Sequence, residues 1–458
     1  MTASVTDALI EHVLATGYDS IPAHAIEVQK RSLADLLSVM MAATSIDEAA
    51  RQAAAYAEGS QGSCTLLAGD AKVDPRDAAL ANGALAHALD YEDSHEVATV
   101  HPNSQTTPAL LALAEHAGGI DGRSFLAALA IGSDLCCRLD LGPNQDLLKF
   151  GWNMPPIHGG MAATLACGKL LGLDAGQLRD ALSLAMCQVV CSGESARSKG
   201  SCVRTLRDGF AAQGAVQSAL LAQRGIHARF DEPLEGKLGY YHAFAHDDWT
   251  PERVLDGLGG RFEGEFISFK PWPACRATHT TIEGLLKLRE EEGLRPEDIR
   301  SIDVTLQEVG RMTIEPHEAK YRPQSASVAK FSLPFLAGTV LKYGEVGLGS
   351  FTEERLGDAE VLEIADKVRV HINEQWTKAQ NKLTDIVVDS AKGTFSLHLE
   401  HPLGCIENPM SDRQMRDKFM DCARLSTKRY SDERIERILQ AIEHLEECPD
   451  MHELGALL

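Results

Sequence analysis

The chain has 458 residues, of which 44% are hydrophobic and 24% charged, and this length predicts two to three folded domains. Lys and Arg number 44 against 66 Asp and Glu, so the net charge of −22 argues against a nucleic acid or an anionic membrane surface as partner. No apolar run reaches the roughly 18 residues of a membrane span, and eleven cysteines without a Cys-x-x-Cys pair indicate reduced thiols, so we expect a cytoplasmic protein.

Helical signals dominate the first 265 residues. Asp74 followed by Pro75 is typical of a helix start, and the helix predicted from there to residue 89 is apolar on nearly all sides. Thr107 followed by Pro108 predicts the start of the next helix, and Gly118 its end. The other helices predicted in this part fall within residues 5–57, 124–139, 159–171, 174–190 and 206–224.

The sequence pattern changes after Lys270. Alternating apolar and polar residues predict strands over 301–306, 368–372 and 394–399, with helices over 278–290 and 332–341. Residues 412–425 and 432–445 are helical again. We therefore predict a mostly α protein, with an all-helical domain formed by residues 1–268 and 403–458 and a smaller α+β domain, residues 269–402, inserted between them.

Between two apolar helices lies a polar stretch, residues 90–108, that carries Asp90, Asp93, Ser94 and His101 together with Glu92 and His95. Carboxylates and imidazoles that are partly removed from water have shifted pKa values, as acid–base catalysis requires. The same groups are also metal ligands, although their spacing matches no known metal motif. A polar surface loop is the alternative interpretation.

Two basic segments are candidate anion sites. Lys199, Arg204 and Arg207 precede or open an apolar helix, where a carboxylate or phosphate would be attracted. Lys270, Arg276 and His279 lie in a rigid Pro- and Trp-containing segment at the predicted domain change. An exposed basic loop and a stiff linker are the respective alternatives. The His158-Gly159-Gly160 segment fits no nucleotide-binding pattern.

Taken together, these segments resemble the MmgE/PrpD family, whose members include dehydratases, a decarboxylase and an epimerase of small polycarboxylic acids. The resemblance covers most of the chain in the same order. It rests on residues 88–95 with His101-Pro102, 234–244, 270–273 with Thr278-His279, 329–335, Gly404 with Asn408-Pro409, and Lys418-Phe419.

The resemblance implies a homodimer with no cofactor and no metal, and an active site between the two domains. It also implies catalytic roles for Asp90, Ser94, His101 and Lys270, with His101 as the general base or acid and Asp90 orienting it. Arg204 and Lys270 would hold substrate carboxylates. The further residues expected to bind substrate are Asp93, His158, Lys199, Arg276 and His279.

The chain departs from the family pattern at three places. Arg204 stands where several members have Lys, and arginine is a poor proton donor. Residues 151–155 lack a histidine that members often carry, for which His158 is the candidate replacement. The loop from Asp90 to His101 is one residue longer than in the decarboxylase. These departures point to a divergent substrate.

The sequence therefore predicts a cofactor-independent lyase, a dehydratase or decarboxylase, that abstracts a proton alpha to a carboxylate of a small di- or tricarboxylic acid. An epimerase of an iminodisuccinate-like dicarboxylate is the first alternative, because it needs the same proton removal. A non-catalytic polycarboxylate-binding protein is the second, and a metal-dependent lyase the third.

Overall fold

The computed structural model describes residues 4–196, 201–377 and 380–458, the side chain of Ala196 excepted. The prediction of a mostly α protein is confirmed, and a small mixed sheet lies in the later part of the chain. None of the helices in these ranges is both long and apolar enough to cross a bilayer. The chain divides into two compact units, the first formed by residues 1–267 and 411–458 and the second by residues 268–410.

The first unit is a bundle of helices with a few two-residue strands. Its helices are α1 (Val5–Ala15), α2 (Ala23–Ile46), α3 (Glu48–Ala57), α4 (Pro75–His87), α5 (Pro102–Ala117), α6 (Gly122–Leu141), α7 (Met154–Leu170), α8 (Ala175–Met186), α9 (Val203–Gln223), α10 (Tyr240–Ala245), α11 (Pro251–Leu255), α18 (Asp412–Arg424), α19 (Asp432–Glu443) and α20 (His452–Leu457). Strands β1 (Cys64–Thr65) and β2 (Lys72–Val73) pair antiparallel, and β3 is Ser94–His95.

The predicted start of α5 at Thr107 is wrong. The helix begins at Pro102, with His101 as its N-cap, and Pro108 lies inside it. Pro102 takes the first helical position, where proline's missing N–H costs nothing, whereas Pro108 removes one internal hydrogen bond that the buried helix tolerates. The difference matters because the structure places residues 102–107 on a helix, whereas the prediction put most of them in the polar loop.

Helices α4 and α9 pack closely because both carry glycine at their contact. A Cβ on Gly83 would lie 2.7 Å from the Cα of Gly209, and one on Gly209 would lie 2.3 Å from the carbonyl oxygen of Leu80. Backbone atoms cannot yield to such an overlap. Because neither glycine has a side chain, α4 and α9 can approach each other closely. Their approach brings the residues that follow position 87 near those that follow position 204.

Gly209→Ala should therefore destabilise the first unit by roughly 1–3 kcal/mol, the usual cost of overpacking a core. Gly214→Ala on the same helix is the matched control, because its Cβ would meet nothing closer than 3.5 Å and alanine favours the helix. Thermal unfolding of both variants measures this difference. Equal unfolding midpoints for the two variants would contradict the importance of the Gly83–Gly209 contact.

The second unit is built on a four-stranded sheet with the order β6-β5-β7-β8. Strand β5 pairs parallel with β6 and antiparallel with β7, which pairs antiparallel with β8. One face of the sheet, with Ile302, Val304 and Ile386, packs in the apolar core with residues of α12 and α15. Strand β4 (Ile267–Ser268) lies at the boundary of the two units along the chain. The helices and strands of the second unit are α12 (His279–Glu291), β5 (Ile299–Leu306), α13 (His317–Tyr321), α14 (Ala326–Ala329), α15 (Leu333–Tyr343), α16 (Glu353–Leu356), α17 (Ala359–Ala365), β6 (Val368–Ile372), β7 (Thr384–Ser390) and β8 (Gly393–Leu399).

Candidate active site

The polar loop after α4 begins with an unusual backbone conformation at Asp90. Its φ of 52° lies in the left-handed region, which few residues other than glycine adopt. The Asp90 carboxylate accepts hydrogen bonds from Nε of Arg204 at 3.1 Å and from Nη2 at 2.9 Å. Arg204 lies in the first turn of α9, so this bidentate pair joins the loop to that helix. The structure thus brings together two residues that the sequence separates by more than a hundred positions.

The neighbours of His101 determine which of its two ring nitrogens carries the proton. Its Nδ1 lies 2.8 Å from the carbonyl oxygen of Asp93 and 3.0 Å from Oε1 of Glu92. A carbonyl oxygen only accepts, so Nδ1 carries the proton and the neutral ring keeps its lone pair on Nε2. The side chain is 16% exposed, so a small molecule can approach it. Nε2 of His101 is therefore the basic atom of this cluster.

Behind His101 lies a second histidine, His87, at the end of α4. Its Nε2 lies 2.7 Å from Nη2 of Arg207, and its Nδ1 lies 2.6 Å from Oε1 of Glu92. A guanidinium only donates, so His87 accepts at Nε2 and donates from Nδ1 to Glu92. Burial lowers the pKa of His87, which keeps the ring neutral. The rings of His87 and His101 are 4.7 Å apart between centroids.

The side chain of Asp93 is bound away from the His101 ring. Its Oδ2 accepts from the hydroxyl of Ser32 and from Nδ2 of Asn103, the latter at 3.0 Å. Burial raises the pKa of Asp93, and the neighbouring Glu92 charge acts in the same direction. The residue contributes to the His101 site through its backbone carbonyl, and its predicted substrate contact stays a prediction.

The structure places the other predicted residues of the first unit as follows. Ser94 is buried in β3. His158 is buried in α7, where Nδ1 lies 3.0 Å from Oδ1 of Asp140 and Nε2 bonds the hydroxyl of Tyr240. Burial alone would raise the pKa of Asp140, but the bond with His158 brings that pKa below its usual value. Both ring nitrogens of His158 are thus engaged by residues other than His101. Lys199 lies outside the described residues.

Near the position where family members often carry histidine, the chain has Asn153, the N-cap of α7. Its Nδ2 donates to the hydroxyl of Ser195 at 2.7 Å, and its backbone N–H donates to the carbonyl of Cys191 at 2.9 Å. An amide cannot take up a proton from substrate, so this position holds the loop before α9 rather than performing acid–base chemistry.

Lys270, Arg276 and His279 lie in the second unit. Lys270 is 1% exposed. Nη1 of Arg276 lies 3.1 Å from Nδ1 of His279 and donates to the carbonyl of Leu403 at 3.2 Å. Nε2 of His279 lies 3.1 Å from the carbonyl of Ala274, so this ring also has a fixed tautomer, with the proton on Nε2. The predicted roles of the three residues in binding substrate stay predictions.

His87, Glu92 and Asp208 were not among the predicted site residues, although Glu92 lies in the polar stretch singled out in the sequence. His87 is one helical turn before Asp90, and this i, i+3 spacing at a helix end was a usable signal. No local pattern indicates that Arg207 bonds a residue 120 positions earlier. Asp208 accepts from the hydroxyl of Ser104 at 3.3 Å and lies 3.6 Å from Nδ1 of His87.

His87, Glu92 and His101 also meet the simplest requirement of a metal site, since each offers a ligand atom within 4.8 Å of the others. Two ligands of a tetrahedral zinc ion at about 2.0–2.1 Å are separated by roughly 3.3 Å. The distances from Glu92 Oε1, 2.6 Å to His87 and 3.0 Å to His101, are shorter and match hydrogen bonds. The geometry therefore fits hydrogen-bonded side chains better than a metal centre.

Comparison with known proteins gives two family models and several curated relatives. The MmgE/PrpD N-terminal domain matches residues 7–252 and the MmgE/PrpD C-terminal domain matches residues 272–445. The cis-aconitate decarboxylase-like protein oryM of Aspergillus oryzae is 28% identical, over 99% of this chain and 97% of its own length. The cis-aconitate decarboxylase of Aspergillus terreus is 27% identical, over 86% and 84%. That of Homo sapiens is 25% identical, over 85% and 80%.

Proposed function

We propose that this chain, which belongs to the MmgE/PrpD family, is a cofactor-independent lyase acting on a small di- or tricarboxylic acid. The relative that matches over 99% of this chain is named cis-aconitate decarboxylase-like protein, and two that match over 85–86% of it are named cis-aconitate decarboxylase, which favours loss of a carboxyl group. The observation that supports this proposal most directly is His101, whose proton is held on Nδ1 and whose basic Nε2 belongs to a partly exposed side chain.

In a dehydration, Nε2 of His101 takes the proton alpha to a carboxylate. The electrons of that C–H bond form the alkene as the hydroxyl leaves with a proton from an acid. In a decarboxylation, the C–C bond electrons stay on the substrate as carbon dioxide leaves, and protonated His101 gives its proton to that carbon. Either sequence uses one histidine that takes or gives a single proton.

The Asp90–Arg204 pair supports binding of an acidic substrate in a protein of strongly negative net charge. In our proposal Arg204 binds a substrate carboxylate and stabilises the charge that builds up on it, while Asp90 holds the guanidinium plane in one orientation. The proposal also includes Lys270 as a residue that holds a substrate carboxylate. It further includes a homodimer of this chain.

Proton NMR in deuterated water, with a chelator present, tests the proposal. Purified protein is incubated with cis-aconitate, 2-methylcitrate, citramalate and iminodisuccinate. A new alkene or released carbon dioxide supports the lyase, whereas deuterium entering alpha to a carboxylate without loss of carbon or water supports the epimerase. Saturable binding of an acid without any exchange or turnover would support the alternative of a non-catalytic polycarboxylate-binding protein. Activity that the chelator abolishes would favour the metal-dependent lyase.

A further inference from the structure

A hydrogen-bonded chain from Arg207 through His87 to Glu92 ends beside His101, whose Nδ1 lies 3.0 Å from Oε1 of Glu92 and 2.8 Å from the carbonyl oxygen of Asp93. Arg207 donates to Nε2 of His87, His87 donates from Nδ1 to Oε1 of Glu92, and the Nδ1–H of His101 faces the same oxygen. Glu92 and Arg207 are almost completely buried. The donor and acceptor roles along the chain are fixed from one end, because arginine has no acceptor.

We infer that Arg207, His87 and Glu92 are positioning residues that hold His101 in the tautomer with a basic Nε2 and stabilise its ring when it is protonated. This inference rests on the proposed function, in which His101 takes or gives the substrate proton. Glu92 is the residue that acts on His101 directly, since its Oε1 lies 3.0 Å from Nδ1, the ring nitrogen that keeps its proton throughout the step. His87 and Arg207 prevent that carboxylate from turning away.

The proton balance of the step is simple. In a dehydration, Nε2 of His101 gains the substrate proton and the ring becomes an imidazolium. In a decarboxylation, the ring begins as the imidazolium and gives that proton to the substrate carbon. In both, the contact of the imidazolium Nδ1–H with Glu92 is charge-assisted on both sides. No proton has to pass to Glu92 or His87. The neutral His87 ring adds no positive charge beside the imidazolium, which a protonated histidine at the same place would do.

Titratable and charged groups near His101 come from the elements packed around it. They are His87 on α4; Asp90, Glu92 and Asp93 in the loop; and Arg204, Arg207 and Asp208 on α9. Helix α7, which also packs on α5, brings His158, bonded to Asp140 and Tyr240, and Lys169, which donates to the carbonyl of Val13. Of these groups, Glu92 is the carboxylate whose oxygen lies within hydrogen-bond distance of Nδ1 of His101.

Glu92→Gln tests the inference by removing the charge with little change in shape. We expect the pH at which His101 is half protonated to fall by about one unit, because its imidazolium loses a neighbouring carboxylate. Nitrogen-15 NMR of histidine-labelled protein measures this midpoint, with the signal assigned from its absence in His101→Gln. Asp180→Asn, which removes a buried carboxylate of α8 bound to Arg229, is the matched control and should leave the midpoint unchanged.

A kinetic measurement accompanies the titration. In Glu92→Gln the limb of the kcat/KM profile that His101 sets should move to lower pH by the same amount, and kcat should fall roughly 10- to 100-fold. This is the acidic limb where His101 takes a proton, as in a dehydration, and the alkaline limb where it gives one, as in a decarboxylation. Glu92→Asp keeps the charge at a greater distance, so its His101 midpoint should stay closer to that of the parent protein. If Glu92→Gln does not fold, the Glu92→Asp midpoint decides: a midpoint below that of the parent supports the inference, because the carboxylate then lies farther from Nδ1 of His101, and a midpoint equal to that of the parent overturns it.

Failure of the inference and failure of the proposed function give different results. A folded Glu92→Gln protein with an unchanged His101 midpoint overturns the inference, whatever the activity. A parent protein that turns over no acid of the panel overturns the proposed function, but the titration still reports whether Glu92 acts on His101.

Discussion

Replacement of His101 by glutamine should lower kcat by roughly 10³-fold or more, within the range that general acid–base catalysis contributes. Glutamine retains an N–H donor for the carbonyl of Asp93 but offers no basic nitrogen to the substrate. Arg204 and its partner Asp90 are untouched, so KM should change little. Steady-state kinetics on whichever acid of the panel is turned over gives both constants.

His116→Gln is the matched control for this variant. His116 lies on the same helix, α5, but in its exposed last turn. Its replacement should leave kcat and KM unchanged. A His101→Gln protein that turns over substrate at a rate near that of the parent would show that another group transfers the proton, and it would remove the main support for the proposed mechanism.

Sequence patterns were sufficient for the helices whose ends carry strong local signals. Asp74 with Pro75 gave the start of α4, and the two C-terminal helices end within two residues of their predicted limits. The same reasoning failed at Pro108 because a cap signal is local, whereas tolerance of proline inside a helix depends on surrounding packing. Strand β7 was missed, although it is the strand that pairs with both β5 and β8.

The candidate site was only partly predictable for a related reason. Residues 90–101 were identifiable because so many titratable groups lie close together between apolar helices. Sequence could not indicate which ring nitrogen of His101 is basic, because that depends on the carbonyl of Asp93 and on Oε1 of Glu92 in three dimensions. Nor could it indicate the contact of Arg207 with His87, which depends on the close approach of α4 and α9 at two glycines.

A buried lysine of the C-terminal helix α18 forms an ion pair with α2 and also binds the beginning of the polar loop that follows α4. Nζ of Lys418 on α18 lies 2.7 Å from Oδ1 of Asp35 on α2, and it donates to the carbonyl of Tyr91 at 2.7 Å. Asp35 is 3% exposed and Lys418 is 6% exposed. Breaking such a pair by removing one partner typically costs about 3–5 kcal/mol, since the other charge stays buried alone.

Lys418→Met should therefore destabilise the first unit by about 3–5 kcal/mol at pH 7.5, seen as a fall in the thermal unfolding midpoint of roughly 5 °C or more. Burial raises the pKa of Asp35 from 3.8 to about 6, even beside Lys418. The free energy of unfolding should therefore be highest, as far as Asp35 is concerned, below about pH 4, and it should fall as the pH rises through 6 and the buried carboxyl ionises. Without the lysine, the pKa rises further, so the deficit of the variant should be largest at pH 7.5 and should shrink at pH 5, where Asp35 is protonated.

The double variant Asp35→Asn/Lys418→Met separates charge from packing. With neither charge buried, the unfolding midpoint at pH 7.5 should recover most of what Lys418→Met loses, because a neutral pair has no unpaired ion to bury. Recovery should be smaller at pH 5, where less was lost. A Lys418→Met deficit of the same size at both pH values would show instead that the lysine acts through the Tyr91 carbonyl and its hydrocarbon chain, independently of the Asp35 charge.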